Sequence, residues 1–521
     1  LDVALGGTTG KAMDLPELPL FDERTGKENH RNVATHAALT GETVNIADAY
    51  AVTRFDFSGT REIDERSGYR SRSFLTVPLK NHLGEVIGVL QLINALDPET
   101  GAVVPFDAGL EPLVEALASL AAVALENQQL IEAQKRLLDS FIELIAGAID
   151  AKSPYTGAHC QRVPELTKML ARAACESDRP PFADFNFTSE EWYELHIAAW
   201  LHDCGKVTTP ESVVDKATKL ETIYNRIHEI RTRFEVAKRD VEIAYLQARV
   251  DGEGDAETLQ RQRDECLAQL DADFAFVANC NVGGEAMAHE DRERLKRIGA
   301  IQWKRTLDDR IGSSQLEARL KAMSPTRTLP ATEYLIEDKA EHLVPWDDET
   351  PPALNEAFAF KVLVPEHKYN KGEIYNLSIE RGTLTEEERF KINEHVVRTI
   401  VMLEQLPFPK YLARVPEYAG GHHETMIGTG YPRKLRKSDL SIPARMMAVA
   451  DIFEALTAAD RPYKKAKTVG ESLRIMAGMS AGNHIDPDLF RLFLESGVYK
   501  DYAERFLSAE QIDPVDIAVY L

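Results

Sequence analysis

The sequence predicts a multidomain chain: an α/β module on an antiparallel sheet, one long connecting helix, and a helical remainder interrupted by a block of different texture. Three observations carry this. A chain of 521 residues is roughly two to four domains long, and 44% hydrophobic with 28% charged residues is the mix of ordered globular protein. The apolar pattern changes from short runs between turn signals to steps of three and four residues near Glu111. Most His and Asp residues with motif character fall in two helical stretches, 151–220 and 382–521, and a highly charged block, 221–381, separates them. Lys plus Arg, 61, against Asp plus Glu, 84, leaves −23, which disfavours DNA and anionic lipid as partners. No apolar run reads as approaching the ~20 residues of a membrane span. Five cysteines without a CxxC pair suit a reducing compartment. The expectation is a soluble, cytoplasmic protein.

Within the first ~110 residues the clearest pattern is Phe74–Asn94, where an apolar run, a turn containing Gly84 and a second run, Val86–Ile93, predict a β-hairpin. With "ALTGETVNIADAY" and "SGYRSRSFL" upstream, the sequence resembles a GAF domain of the kind fused to cyclic-nucleotide phosphodiesterases and bacterial sensors, over about residues 30–125. The resemblance implies strands and a helix before Leu1, so residues 1–111 are expected to be a GAF domain lacking its N-terminal part. It also implies a regulatory module for an unidentified small molecule. Of the cyclic-nucleotide-binding pattern, Asn94, Phe106 and Glu111 are present, while Ala95 and Leu110 replace its Lys and Asp.

From Glu111 to about Asp150 apolar residues recur at three- to four-residue steps with no Pro or Gly between Pro112 and Gly147, which predicts a linking helix over 112–150. Its apolar side is expected to pair with a second copy and form a homodimer; packing on its own sheet is the alternative. In the charged block, Glu221–Val250 and Ala256–Phe276, separated by "DGEGD", predict an antiparallel helical hairpin. The remainder to about Arg381 shows no clear period.

The chemistry-bearing motifs come next. "WLHDCGK" places His202 and Asp203 side by side at the end of an apolar stretch; an imidazole nitrogen beside a carboxylate suits a first-row divalent metal, and a carboxylate can bridge two. "GGHHETMIGTGYP" carries His422 and His423, "ARMMAVADIFEAL" carries Asp451, and "AKSPYTGAHCQRV" carries His159. Each motif alone has an ordinary structural explanation. Together, in this order and with "GTLTEEERFKINEH" and "DRPYKKA" between and after them, they resemble the HD-GYP family of HD-domain metal phosphohydrolases over 140–220 and 382–490.

That resemblance implies an all-α catalytic domain over 151–521, with 221–381 as a mainly helical insertion. It implies seven metal ligands: His159, His202, Asp203, His395, His422, His423 and Asp451, with Asp203 bridging two ions of iron or manganese. His395 is chosen over His228 because "LTEEERFKINEH" keeps the family's Leu-Thr to His interval. Tyr155 stands where members with a third metal carry Glu, so two ions are expected. Lys206 is expected to contact phosphate or assist the leaving group, Tyr431 to touch substrate, and Arg461 and Lys464 to hold the other phosphate or a guanine edge. One extra residue separates Asp451 from Arg461 relative to the commonest family spacing. The implied activity is hydrolysis of a cyclic dinucleotide, cyclic di-GMP first, to pGpG and onward to GMP. Ile427 replaces the family's Asp before GxGYP, which opens cyclic GMP–AMP as a substrate. A dinucleotide-binding effector with little turnover, and a hydrolase of another nucleotide, are the alternatives.

Overall fold

The computed structural model describes residues 18–22, 25–152, 159–284, 286–347, 350–458 and 466–521. The chain divides into two compact units at Asp139/Ser140.

The first unit is built on a three-stranded antiparallel sheet in the order β1 (Val44–Ile46), β2 (Phe74–Lys80), β3 (Val86–Ile93), with helices α1 (Val33–Thr40) and α2 (Ser58–Ser67). The hairpin expected over Phe74–Asn94 is present, from Phe74 opposite Ile93 to Lys80 opposite Val86. Gly84 takes φ +82° in its turn, a conformation that favours a residue without Cβ. Strand β2 is buried on both faces, so alternate residues feed two cores: Phe74 packs with Val33, Ile46, Phe55 and Phe57, while Leu75 and Val77 face Ala118. The surviving residues of the cyclic-nucleotide pattern serve the framework. Asn94 accepts from Arg72 N at 2.6 Å and donates to Arg70 O at 2.8 Å, Phe106 joins the core, and Glu111 accepts from Asn45 Nδ2 at 2.8 Å.

Helix α3, Glu111–Lys152, runs unbroken for 42 residues. Val114 and Ala118 pack on the sheet of the first unit. A different stripe is exposed: Leu113, Leu120, Asn127, Gln134 and Phe141 recur every seventh residue, with Ala116, Val123, Leu130, Leu137 and Leu144 three positions after them. Contrary to the sequence expectation, this helix is long and apolar enough, by length and composition, to cross a membrane. Charged Glu115 and Glu126 interrupt the stretch that packs partly on the sheet.

The second unit is largely helical. Helices α4 (His159–Cys175) and α5 (Ser189–Leu201) are followed by a 3₁₀ turn, Cys204–Thr208. The helical hairpin is α6 (Ile227–Asp251) and α7 (Ala256–Asn281). Beyond it, where the sequence shows no period, Gln302–Arg305 pairs antiparallel with Ala331–Tyr334. This block has a core of its own, centred on Ile230, Phe234, Val277, Leu295 and Leu335. Its two ends lie together: Lys219 N donates to Asn281 O at 2.9 Å, and the Lys219 ammonium donates to Leu377 O and Ile379 O at 3.0 and 2.8 Å. Thr383 Oγ1 donates to Lys216 O at 3.0 Å, and the buried Lys216 pairs with Glu388 at 2.8 Å. Helices α8 (Glu386–Glu404), α9 (Val415–Gly420) and α10 (Ile442–Thr457) follow, and two C-terminal helices, Pro487–Glu495 and Val498–Phe506, pack Phe493 and Tyr502 against Phe453 of α10.

Candidate metal centre

Five local devices bring the motif residues to one place. Helix α5 starts on a capping box, Thr188 with Glu191, and ends at His202. The turn after Asp203 presses against α8: Gly205 N donates to Thr399 Oγ1 at 2.9 Å, and a Cβ on Gly205 would stand 2.0 Å from His395 O. Only glycine allows this approach, which explains Gly205 of "WLHDCGK" physically. Helix α8 starts on a second capping box, Thr385 with Glu388, and carries His395. After α9, Gly421 fits a hypothetical Cβ only 2.9 Å from Ala444 Cβ, so the His422–His423 pair packs close to α10. On α10, Asp451 and Glu454 lie three residues apart on one face.

Three of the imidazoles are held in the same way. His202 Nδ1 bonds Ala199 O at 2.7 Å, His395 Nδ1 bonds Ile392 O at 2.5 Å, and His422 Nδ1 bonds Ala419 O at 2.6 Å. A carbonyl can only accept, so Nδ1 carries the proton and Nε2 keeps its lone pair. The Nε2 atoms of all three, and Asp203 Oδ1, are buried without a hydrogen-bond partner among the described residues. Orphaned lone pairs on buried imidazoles and a carboxylate are the donor set of a divalent transition metal.

The donors form two groups, His159–His202–Asp203 and His395–His422–His423, each within 4.8 Å. Asp203 lies between them. Its Oδ2 is 3.1 Å from His159 Nε2 and 3.2 Å from His202 Nε2; its Oδ1 is 3.2 Å from His395 Nε2 and 4.0 Å from His422 Nε2. Asp451 Oδ1 joins the first group at 3.4 Å from His159. All seven sequence-predicted ligands thus converge. Lys206 places its ammonium 2.5 Å from Asp203 Oδ2. Tyr431 stacks on His423 with ring centroids 4.9 Å apart and planes at 17°. Ile427 is 49% exposed. His228 is exposed at the start of α6 and bonds Arg231. Arg461, Lys464 and Tyr155 lie outside the described residues.

The charges are arranged to suit cations. Burial alone pushes the Asp203 carboxyl up, but Lys206 and His202 hold it well below the usual range. Burial, then repulsion from His202, pushes His422 down to about 4; burial, then repulsion from His422, holds His423 well below the usual imidazole range. Both imidazoles are therefore neutral at pH 7. His159 is the opposite case: burial opposes its charge, yet Glu454 and Asp203 raise it to about 10.

Glu454 was not legible as a site residue. Its carboxylate holds His159 Nδ1 and is itself clamped by Arg162 Nε at 2.7 Å. The available signal was its position three residues after Asp451 on one helical face. Lys152, the last residue of α3, is a second addition: its ammonium donates to Val207 O and to Thr209 O, the latter at 2.7 Å, so it caps the turn that carries Asp203 and Lys206.

A GAF domain model matches residues 12–125, and an HD domain model matches residues 331–489. The HD match holds His395, His422, His423 and Asp451 and begins inside the 221–381 block. The chain is similar to a cyclic di-GMP phosphodiesterase of Pseudomonas aeruginosa, 36% identical over 140 residues, 27% of this chain and 30% of that protein. It is similar to a 3'3'-cGAMP-specific phosphodiesterase of Vibrio cholerae, 37% identical over 125 residues, 24% of this chain and 26% of that protein. A probable cyclic di-GMP phosphodiesterase of Vibrio cholerae is 30% identical over 236 residues, 42% of this chain and 51% of that protein. The chain therefore matches about a quarter to a half of the length of these relatives. In domain terms the chain carries a GAF domain followed by a mostly helical HD region.

Proposed function

We propose that the chain is a metal-dependent phosphodiesterase that opens a cyclic dinucleotide, with its output regulated through the GAF domain. The observation that carries this is Asp203, whose two oxygens face two separate imidazole groups, as a carboxylate bridging two ions must. His159, His202 and Asp451 would hold one ion, His395, His422 and His423 the other, with Asp203 shared; iron or manganese fits five imidazoles and two carboxylates better than a closed zinc site. When bound there, the ions would supply a water of lowered pKa as nucleophile and would neutralise charge on a phosphoryl oxygen.

The protein groups do the rest. The i−3 carbonyls fix the rings of His202, His395 and His422 so that their Nε2 atoms converge. Lys206, charged beside Asp203 and Asp451, stands ready to bind a phosphate oxygen or give a proton to the departing one. Tyr431, whose phenol is kept protonated by burial and by the Asp451 and Asp203 charges, offers a donor beside His423. Arg461 and Lys464 remain proposed contacts to the second phosphate or a guanine edge.

Cyclic di-GMP is the first substrate to test, to pGpG and onward to GMP. Cyclic GMP–AMP is the second, supported by Ile427 and by the relative named for that substrate. We further read residues 1–111 as the GAF domain with an unidentified small-molecule ligand, 112–150 as the signalling helix, and 151–521 as the catalytic domain with 221–381 inserted. The exposed seven-residue repeat on α3 supports a homodimer, and the cysteine content supports a cytoplasmic location. The test is incubation of the manganese- or iron-loaded protein with each dinucleotide separately, followed by chromatography. Linear product that disappears in His202→Ala is expected; intact substrate at full metal occupancy would sink the hydrolase reading and favour an effector.

A further inference from the structure

The 221–381 block reaches beyond its own core. Its last part forms a strap, with two short 3₁₀ turns at Pro352–Leu354 and Glu356–Phe358, closed where Trp346 Nε1 donates to Pro365 O at 2.9 Å. The strap has two anchors in the centre just described. One is α8, the helix of His395: Ala353 packs with Phe390 and Val397, joined by Phe360, and the Trp346 ring meets Phe390 edge-on at 5.8 Å. The other is the turn that carries Tyr431. Lys361 N donates to Pro432 O at 2.7 Å, Arg433 Nε donates to Phe358 O at 3.1 Å, and the Arg433 guanidinium lies 5.7 Å over the Phe360 ring.

The loop also holds this turn from within, with Gly430 N donating to Thr425 Oγ1 at 3.1 Å. Arg433 N and Leu435 N donate to the Glu424 carboxylate at 2.6 and 2.9 Å, and Tyr431 N donates to His423 O at 3.2 Å. Gly430 sits so close to Glu424 Cα that a Cβ would stand 2.6 Å from it. Pro432 is buried and Arg433 half-buried between Glu424 on one side and the strap on the other, so the strap is the second anchor of this turn.

We infer that the strap is a positioning element of the active site: it holds the Tyr431–Arg433 turn against α8 so that Tyr431 stays seated on His423. The inference deepens the phosphodiesterase reading and rests on it for the role of Tyr431. It gives the block an input to the centre that does not pass through α3. Because the contacts of the strap given above reach Pro432, Arg433, Phe390 and Val397 and none of the proposed metal ligands, loosening it should alter substrate handling and leave metal binding intact.

The test uses the full chain loaded with manganese. Lys361→Pro removes the amide donor to Pro432, Arg433→Met removes the donor to Phe358 and the charge over Phe360, and Arg433→Lys keeps the charge. Hydrogen exchange, metal content, and KM and kcat on the dinucleotide that the parent protein hydrolyses are measured. The amides of Tyr431, Arg433, Lys434 and Leu435 should exchange about tenfold faster in the first two variants, with Arg433→Lys intermediate, metal content unchanged and KM raised several-fold against a smaller change in kcat. Unchanged exchange in that turn, protection lost throughout the second unit, or loss of metal would overturn the inference. Should Lys361→Pro not fold, Arg433→Met at its half-buried site decides alone. Faster exchange in a chain that hydrolyses no dinucleotide would keep the anchoring role of the strap and discard the phosphodiesterase reading.

Discussion

His159 and Glu454 show how one unassuming carboxylate governs a proposed metal ligand. A ring whose Nδ1 faces a carboxylate is both oriented and made more basic, and such outer partners are worth about 10–100-fold in metal affinity. Glu454→Gln should therefore weaken manganese binding by about that factor. The same anion holds His159 charged in the metal-free chain, with a pKa of about 10, so metal uptake near neutral pH must displace a proton from it. Removing the anion lowers that pKa, and calorimetry in buffers of different ionisation enthalpy should show fewer protons released by Glu454→Gln than by the parent. Equal release would contradict the assignment. Gly205 is the steric counterpart. Gly205→Ala would drive a methyl into His395 O, so a loss of about 1–3 kcal/mol in stability, together with lowered metal content, is expected in thermal melts with and without manganese. Full metal content in a stable Gly205→Ala protein would show that the turn can move without cost.

At the scale of elements, α3 carries two faces with different duties. Val114, Ala118 and Ala122 are turned inward, Val114 and Ala118 onto the sheet, while the seven-residue repeat from Leu113 to Leu144 stays exposed. A repeat of exposed Leu, Val and Phe with Asn127 and Gln134 at single positions is the pattern of a coiled coil whose polar residues set register. Leu120→Glu combined with Leu137→Glu should convert a dimer to a monomer in light scattering while leaving the circular dichroism of the fold in place. A parent protein that is already monomeric at micromolar concentration would remove the basis for dimerisation through this helix. The sequence period revealed this helix and the β2–β3 hairpin because both have long, regular apolar patterns. It was silent between Asn281 and Arg381, where the structure builds a two-stranded ribbon, short 3₁₀ turns and the strap. Such pieces are held by contacts to distant elements, and distance along the chain erases their periodicity.

Over the whole molecule, acid should act on the block as well as on the carboxylate-rich surface. Inside the block, burial lowers His342 to about 4, and its Nδ1 accepts from Lys339 N at 3.2 Å, which requires a neutral ring. The unfolded chain binds a proton here near pH 6.5 and the folded chain does not until about 4. This contribution to stability is complete above about pH 6.5 and is lost as the pH falls toward 4. Hydrogen exchange of the block at pH 5 should be faster than at pH 7 after correction for intrinsic rates, and His342→Gln should flatten that difference. An unaltered difference in the variant would assign the acid response to other groups.

By itself the sequence determined the kinds of donors present, their order, and the helices or turns that carry them, because ligand chemistry and helical period are local properties. It singled out seven residues spread from 159 to 451, and those seven meet in one buried cluster. Only the tertiary structure decided that Asp203 stands between two imidazole groups, that Glu454 and Lys152 support them from behind, and that a strap from the intervening block braces the Tyr431 turn. Each of these depends on contacts between residues tens to hundreds of positions apart, which a linear pattern does not encode. The same separation explains why Asn94, Phe106 and Glu111, read as remnants of a ligand pattern, serve the framework of the first unit: their partners lie across the sheet.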